Sequence, residues 1–566
     1  MDAREGLKRS FDKLRTNGNV LVSFVVSQPK SFVVSLSNHL PTRANRPIYG
    51  FASNHAPRAR LQRHFQAPRA GAFSILAALA FTAPAHAVNW LFDANVGASA
   101  TYTDNVNQSS SNKEDSLVLT VTPGFTLRTE GSRRMDATIA YSLSGVARFG
   151  GGDDTDLNHN LNATGSAELV EDFLFIDASA RVSQELISLL GSPADASINS
   201  SNRATTGSWD ISPYIKKRFS TFADFEARYS TGGALFENDV VSNLYSDTFS
   251  TSLTSGTRFS NLNWGLDYSW RDVSSRDGGG IDTSYTYDRA NLSLGYALTR
   301  KFRLIGNIGR ERITYEEASA EDLDDTVWSA GFAWTPSRRT SLQATAGERF
   351  FGNTYDVSAN YRTRVSSWTL SYTEDVNDIS QATLREGTIY LFLCPGPNPG
   401  DPPVFVESPF LISPAPGCIL LGSQAGLVPS LADGLYVAKT FRAGVNWGVR
   451  KISYSINAFD IRRIYLLENN AEDRSQGINF GVNYRLDPLT SMFGNLALDW
   501  TVDAATLSGL TFDREDELMT FTLGVNRQFS RDLTGALTYR YYQRDSNDPL
   551  AEYTENNITA SANMSF

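Results

Sequence analysis

The stretch "WSAGFAWTPSRRTSLQATAGERFFG", Trp328 to Gly352, decides the fold. Trp328, Ala330, Phe332 and Trp334 alternate with Ser329, Gly331, Ala333 and Thr335. Strict alternation is the mark of a strand whose two faces meet different surroundings. After the break Pro336-Ser337-Arg338-Arg339 it resumes, with Leu342, Ala344 and Ala346 set against Ser341, Gln343 and Thr345. One face carries large rings and the other is small and polar. A soluble sheet would hide the rings in a core, whereas a membrane barrel turns them outward to lipid.

The pattern recurs from Trp90 to the end of the chain. Ala94, Val96, Ala98, Ala100 and Tyr102 form one such face, and Leu262, Trp264, Leu266, Tyr268 and Trp270 another. Short breaks such as "EGSRR" at Glu130, "TRKF" at Thr299 and "DPLT" at Asp487 alternate with long polar ones. The long ones include "DNVNQSSSNKED", "GGDDTDLNH", "LLGSPADASINSSNRA" and "ENNAEDRSQG". Tight turns at one rim and long loops at the other describe an outer-membrane barrel, with the tight turns periplasmic. The expectation is an all-β, single transmembrane, antiparallel up-and-down β-barrel of about 22 strands, with 18–24 compatible, in the Gram-negative outer membrane. Closure is required because an open sheet edge in lipid leaves backbone groups without partners, at several kcal/mol each.

Composition agrees. The 566 residues are 11% aromatic and 20% charged, with a mean hydropathy of -0.28. No run of about 18 apolar residues is present, so no transmembrane helix is expected. One shorter run matters: Arg58, Arg60, Arg63 and Arg69 precede an apolar stretch, Gly71 to Phe81, which ends in Ala85-His86-Ala87. That is a basic n-region, an h-region and an A-x-A cleavage site. Residues 58–87 therefore read as a signal peptide and 88–566 as the barrel. Residues 1–57 contain Ser-Phe-Val-Val-Ser twice, at Ser23 and Ser31, and read as a spurious or disordered extension.

Residues 1–87 hold 12 of the 51 basic and 3 of the 61 acidic residues, which leaves 39 and 58 and a net charge of -19. A charge of that sign argues against a nucleic-acid partner. Of the five histidines only His159, in "NHNLN", lies beyond residue 87. A Ser-His arrangement would have to form around it, and no motif supports one. The chain is expected not to be an enzyme and to hold no cofactor or metal.

Charges cost about 2–4 kcal/mol at mid-membrane on a lipid face, so the face opposite the apolar one should line the lumen. Candidates there are Arg128, Arg181, Glu226, Arg228, Asp267, Arg271, Arg289, Arg362, Arg485, Asp499 and Arg540. They serve equally as a rigid polar wall or as an aqueous conduit. Membrane-girdle candidates are Trp264, Trp270, Trp328, Trp334, Trp500 and Phe566. The last strand, "NNITASANMSF", ends on Phe566 and suits recognition by the barrel-assembly machinery. It has Ala562 and Met564 where aromatics are common.

With the first strand placed just after Ala87, no N-terminal plug is expected, although barrels of 22 strands commonly carry one. The candidate plug is instead the Pro/Gly-rich segment 377–432, with the chain's two cysteines, Cys394 and Cys418. In an oxidising compartment a disulfide between them is expected, stabilising by about 2–4 kcal/mol. Gly309 and Gly347 suggest bulges beside Arg310 and Arg349. "GGDDTD" at Gly151 and "DREDE" at Asp513 read as acidic loop runs, solvated tips or calcium sites.

Four segments carry a family resemblance: "YTDNV" at Tyr102, "ISPYI" at Ile211, "GRERITY" at Gly309 and the opening stretch extended to "GNTY". Together they resemble the outer-membrane β-barrel family associated with exosortase/PEP-CTERM systems, of β-barrel porin type, over about Trp90 to Phe566. The resemblance implies a role beside exopolysaccharide export or surface assembly, with exopolysaccharide and periplasmic export proteins as partners and outer-membrane lipid and lipopolysaccharide around the wall. It carries no catalytic residue. The alternative is a structural or adhesive barrel that anchors exopolysaccharide without an open pore.

Overall fold

A computed structural model describes residues 88–566 except 151–153, 187–202, 238–241, 277–283, 317–321, 379–388, 395–403, 409–418, 425–434, 467–471 and 508–509. The expected extension and signal peptide lie outside these residues. Strands are numbered β1 to β25 in chain order.

β1 (Asn89–Thr103) pairs antiparallel with β2 (Ser116–Glu130) on one side, from Asn89↔Glu130 to Thr103↔Ser116. On its other side it pairs with β25 (Tyr553–Ser565), from Asn95↔Ser565 to Thr103↔Asn557. This seam closes a sheet of 22 strands in which each strand is antiparallel to the next in sequence. One step of the wall is not made by consecutive strands. β15 (Ser366–Asp378) pairs directly with β19 (Leu435–Val449), from Ser366↔Trp447 to Asp378↔Leu435. The chain leaves the wall between them and returns to the adjacent position. In the excursion β16 (Ile389–Cys394) pairs with both β17 (Val404–Ser408) and β18 (Ile419–Gln424) as a separate three-stranded sheet.

The opening stretch forms β12 (Leu323–Ser337) and β13 (Thr340–Arg349). Their register pairs Phe332 with Ala344 and Trp334 with Leu342. On the other side, β11 (Phe302–Tyr315) pairs Phe302 with Trp334 and Leu304 with Phe332. Period-two geometry thus keeps one face apolar across neighbouring strands. That face is outside: Trp328 is 47% and Trp334 42% exposed, while inward Val327 is buried. The Phe302 and Phe332 rings stack at 5.6 Å. The outward face of a closed barrel is covered only by lipid, so the protein is an outer-membrane-type β-barrel.

Several loop expectations need correction. Long and short connections do not alternate strictly. β4 (Asp154–Val170), which follows β3 (Met135–Gly150), takes up Asp154 to His159 of "GGDDTDLNH", which are strand rather than loop. "DREDE" lies inside β23 (Leu510–Gln528), and β21 (Glu472–Asp487) begins within "ENNAEDRSQG". β13 joins β14 (Gly352–Arg362) through only Phe350 and Phe351. Polar sequence marked these segments as loops, but strands that project beyond the bilayer need no apolar face.

The bulges are also elsewhere. The ladders at Gly309 and Gly347 run without a shift, and the slips fall beside the periplasmic turns, between Ala297 and Thr299 and between Trp334 and Ser337. Pro336 sits in the second and has no N–H to donate, so the ladder must break at that point. Gly347 answers a different demand, since a Cβ on it would lie 1.9 Å from the Trp328 carbonyl oxygen. Gly347→Val should therefore prevent the heat-dependent mobility shift of a folded barrel on denaturing gels. Gly97→Ala, whose added carbon would meet nothing nearer than 3.8 Å, should leave it intact.

Candidate functional site: the lumen and its extracellular mouth

All eleven lumen candidates sit at inward positions, each offset by one from exposed outward neighbours on the same strand. The wall places several in ion pairs. Arg228, on β7 (Ala223–Phe236), binds Asp177 at 2.8 Å and Glu226 at 3.4 Å. Its guanidinium lies 3.8 Å from the Tyr214 ring centre. Arg289, on β10 (Tyr285–Thr299), reaches Glu311 at 3.3 Å. Arg540 donates to the Tyr542 hydroxyl at 3.1 Å. At the periplasmic end Arg128 and Asp93 stand 3.7 Å apart, both about half exposed. Arg181 is buried, whereas Asp267 and Arg362 are open.

More deeply buried ion pairs occupy the extracellular third of the wall and were not among those candidates. Arg463, on β20 (Ile452–Tyr465), binds Asp473 at 2.9 Å, and the Tyr465 hydroxyl donates to the same carboxylate at 2.7 Å. Asp516 binds Arg514 and Arg544. Arg148 binds Asp156 at 2.8 Å. Glu555, at the closing seam, accepts from Thr103 at 2.8 Å and Gln108 at 3.0 Å. Asp473 and Asp516 fall in segments whose polar sequence resembles loop, which hid their inward direction. Occupation of Asp516 by two arginines also removes it as a calcium ligand.

Arg349 holds the densest of these clusters. It lies at the end of β13, directly before the Phe350–Phe351 turn, and is 6% exposed. Its guanidinium bonds Glu311 at 2.9 Å, Asp375 at 3.2 Å and the Glu374 carbonyl at 3.2 Å. It thereby ties β11 to β15 across the hairpin of β13 and β14. That hairpin is short. β14 pairs with β15 only as far as Val357↔Tyr372, so the wall has a notch above it.

The notch is filled from within. Register puts Val376 of β15 opposite Val437 of β19, on the outward face shared with Trp368 and Leu370. Yet Val376, Leu435 and Val437 are buried in one apolar cluster with the inward-facing Phe236, Leu244, Val273, Tyr285, Ile313 and Tyr315, and Phe350 and Phe351 pack against it. The outer face of one wall segment meets the inner face of another only if the first leans into the mouth. The extracellular ends of β15 and β19 therefore cross the notch and enter the lumen. The sheet they carry continues inward: β18 comes within 8 Å, Cα to Cα, of β24 (Leu533–Ser546), five strands further round the wall. The segment expected as a plug thus starts at the mouth and reaches β24. Cys418 lies outside the described residues, as does its pairing with Cys394.

All six girdle candidates are on the outer face. Three further tryptophans join Trp334 near the periplasmic rim: Trp90, Trp368 and Trp447, 45%, 49% and 50% exposed. They sit close to strand ends, where too few alternating neighbours flag them. Toward the extracellular side outward tyrosine hydroxyls bond acids on the next strand, Tyr229 to Asp247 at 2.9 Å and Tyr268 to Asp288 at 3.0 Å. Above Ile308 and Trp328 the outer face becomes charged, with Arg310 and Arg312 both on Asp324. Arg310 thus points away from the lumen. His159 is also outward, 2.8 Å from the Tyr141 hydroxyl through its Nδ1 and within β4 rather than at a rim.

No protein-family model matches the sequence, and no curated protein matches it either. Among solved structures it resembles the FrpB iron transporter from Neisseria meningitidis, at 11% identity and a TM-score of 0.48, with 84% of this chain and 82% of that one covered. It also resembles the siderophore receptor PirA from Acinetobacter baumannii, at 9% identity and a TM-score of 0.48, covering 84% and 80%. PirA from Pseudomonas aeruginosa matches at 11% identity and a TM-score of 0.42, covering 83% and 80%.

Removing one member of a buried pair strands the other, which typically costs about 3–5 kcal/mol. Arg349→Ala should destabilise the mouth by that order in urea unfolding of the detergent-solubilised barrel. Arg349→Met combined with Glu311→Gln should cost clearly less, because no buried charge is then left behind.

Proposed function

We propose that the protein is a gated porin-like conduit for a surface polysaccharide, working with periplasmic export proteins. The observation that carries the reading is the mouth. The extracellular ends of β15 and β19 lean into it, and the three-stranded sheet carried between Asp378 and Leu435 is not part of the 22-stranded wall, because β15 pairs directly with β19. Below it the inward face is polar and charged, which suits a hydrated polymer. The polymer class rests on the resemblance of the opening stretch and its companion segments to the exosortase-associated barrels.

Around the wall, the outward tryptophans and tyrosines suit lipid, and the charged belt at Arg310, Arg312 and Asp324 suits lipopolysaccharide headgroups. The strand ending at Phe566 suits recognition by the barrel-assembly machinery. A disulfide between Cys394 and Cys418 would hold the inserted sheet compact and restrict its excursions.

The same narrowed mouth also fits an anchor that holds polysaccharide at the surface without passing it. Conductance in planar bilayers separates the two. Replacing residues 394–418 by a short Gly-Ser linker should raise single-channel conductance several-fold over the intact protein. Equal, negligible conductance from both would leave the anchor.

A further inference from the structure

The periplasmic rim has a feature that the overall charge of the chain conceals. Four successive periplasmic turns join β10 to β11, β12 to β13, β14 to β15 and β19 to β20. Seven of their nine residues are Arg or Lys, and none is acidic. This arc belongs to a chain whose residues from 88 onward carry a net charge of -19. Elsewhere on this rim basic residues are offset or sparse: Arg134 pairs with Glu171 of the neighbouring turn at 2.6 Å, Arg531 stands beside Asp532, and the turns 220–222 and 488–489 carry no charge.

The arc contains a cleft of about 830 Å³ whose lining includes Lys301, Arg338, Arg339 and Arg362. All four are exposed, and no ion pair engages them among the described residues. Backbone bonds fix the turns that present them: Thr335 N–H donates to the Lys301 carbonyl and Arg362 N–H to the Arg339 carbonyl, each at 2.8 Å. The cleft opens on the lumen side, because Arg362, Ser367 and Thr369 are inward positions opposite the outward Tyr361 and Trp368. Four cations held side by side without carboxylates repel one another. A polyanion relieves that repulsion along its length, which a single small ion cannot do.

We infer that this cleft is the periplasmic entry site for an acidic polysaccharide, one bearing carboxylates along its chain. The inference rests on the conduit reading and adds the charge of the cargo to it. The guanidinium groups of Arg338, Arg339 and Arg362 match carboxylates in geometry as well as sign. The placement fits entry rather than exit, since the arc lies at the rim opposite the extracellular mouth.

The test uses the full barrel in detergent micelles, with polygalacturonate as the acidic probe and dextran as the neutral one. Polygalacturonate should bind and dextran should not, and binding should weaken with added salt. Lys301→Glu, Arg338→Glu, Arg339→Glu and Arg362→Glu combined should weaken it at least ten-fold while the heat-shifted mobility of the barrel is kept. The milder Arg338→Gln with Arg339→Gln should give an intermediate loss, which guards against misfolding of the fourfold variant. Arg133→Glu, in another turn, should leave binding unchanged. Equal binding of dextran, or polygalacturonate binding untouched by the fourfold change, overturns the proposal. So does competition by phosphatidylglycerol but not phosphatidylcholine nanodiscs, because the cleft is then a lipid-headgroup site. A barrel that conducts after loop replacement yet prefers no acidic polymer keeps the conduit and loses this inference. One that never conducts yet binds polygalacturonate through these residues loses the conduit and with it the entry role, and leaves the cleft as an acidic-polymer binding site.

Discussion

Pairing of β1 with β25 turns a long sheet into a wall without edges, and everything else follows from that closure. In hydrocarbon an edge would expose a row of N–H and C=O groups at several kcal/mol each. The seam is guarded on the lumen side as well, where Thr103 and Gln108 both donate to Glu555. Once the sheet is closed, each residue of a strand has only two directions. The outward one meets lipid and accepts Trp328, Phe332 and Trp334. The inward one must satisfy its polar groups with its neighbours.

That division explains why the lumen is built from ion pairs. A wide barrel lined with isolated charges would hold them at mutual repulsion or leave them poorly solvated. Arg228 with Asp177 and Arg289 with Glu311 distribute charge as pairs along the wall. Arg349 goes further. By binding partners on β11 and β15 it makes the short β13–β14 hairpin a point where the wall can be crossed from inside. The mouth is narrowed by a departure from the barrel's regularity. Val376, Leu435 and Val437 have outward register and interior surroundings.

Much of this architecture is legible in the sequence, because period-two alternation survives in every stretch that crosses lipid. The faces of β12 and β13, the closure into about 22 strands and the inward direction of residues such as Arg228 and Arg485 all come from it. Where lipid no longer constrains the outer face, the signal fades. "DREDE" and "ENNAEDRSQG" look like loop because both faces are polar there, although they hold the structured Asp516 and Asp473. The lean of β15 and β19 is not a local property at all. It depends on β13 and β14 stopping early, and alternation along a strand carries no record of how far the neighbouring strands extend.

Depth-dependent quenching of single tryptophans tests the account most directly. The barrel would be reconstituted in vesicles with only Trp328 or only Trp334 retained and the other tryptophans replaced by phenylalanine. Brominated lipids should quench both. Trp334, beside the periplasmic turn, should respond most to bromines near the headgroups, and Trp328 to bromines on the acyl chains. Strong quenching of both by aqueous iodide, with no response to brominated lipid, would place the rings away from the bilayer and contradict an outward-facing wall.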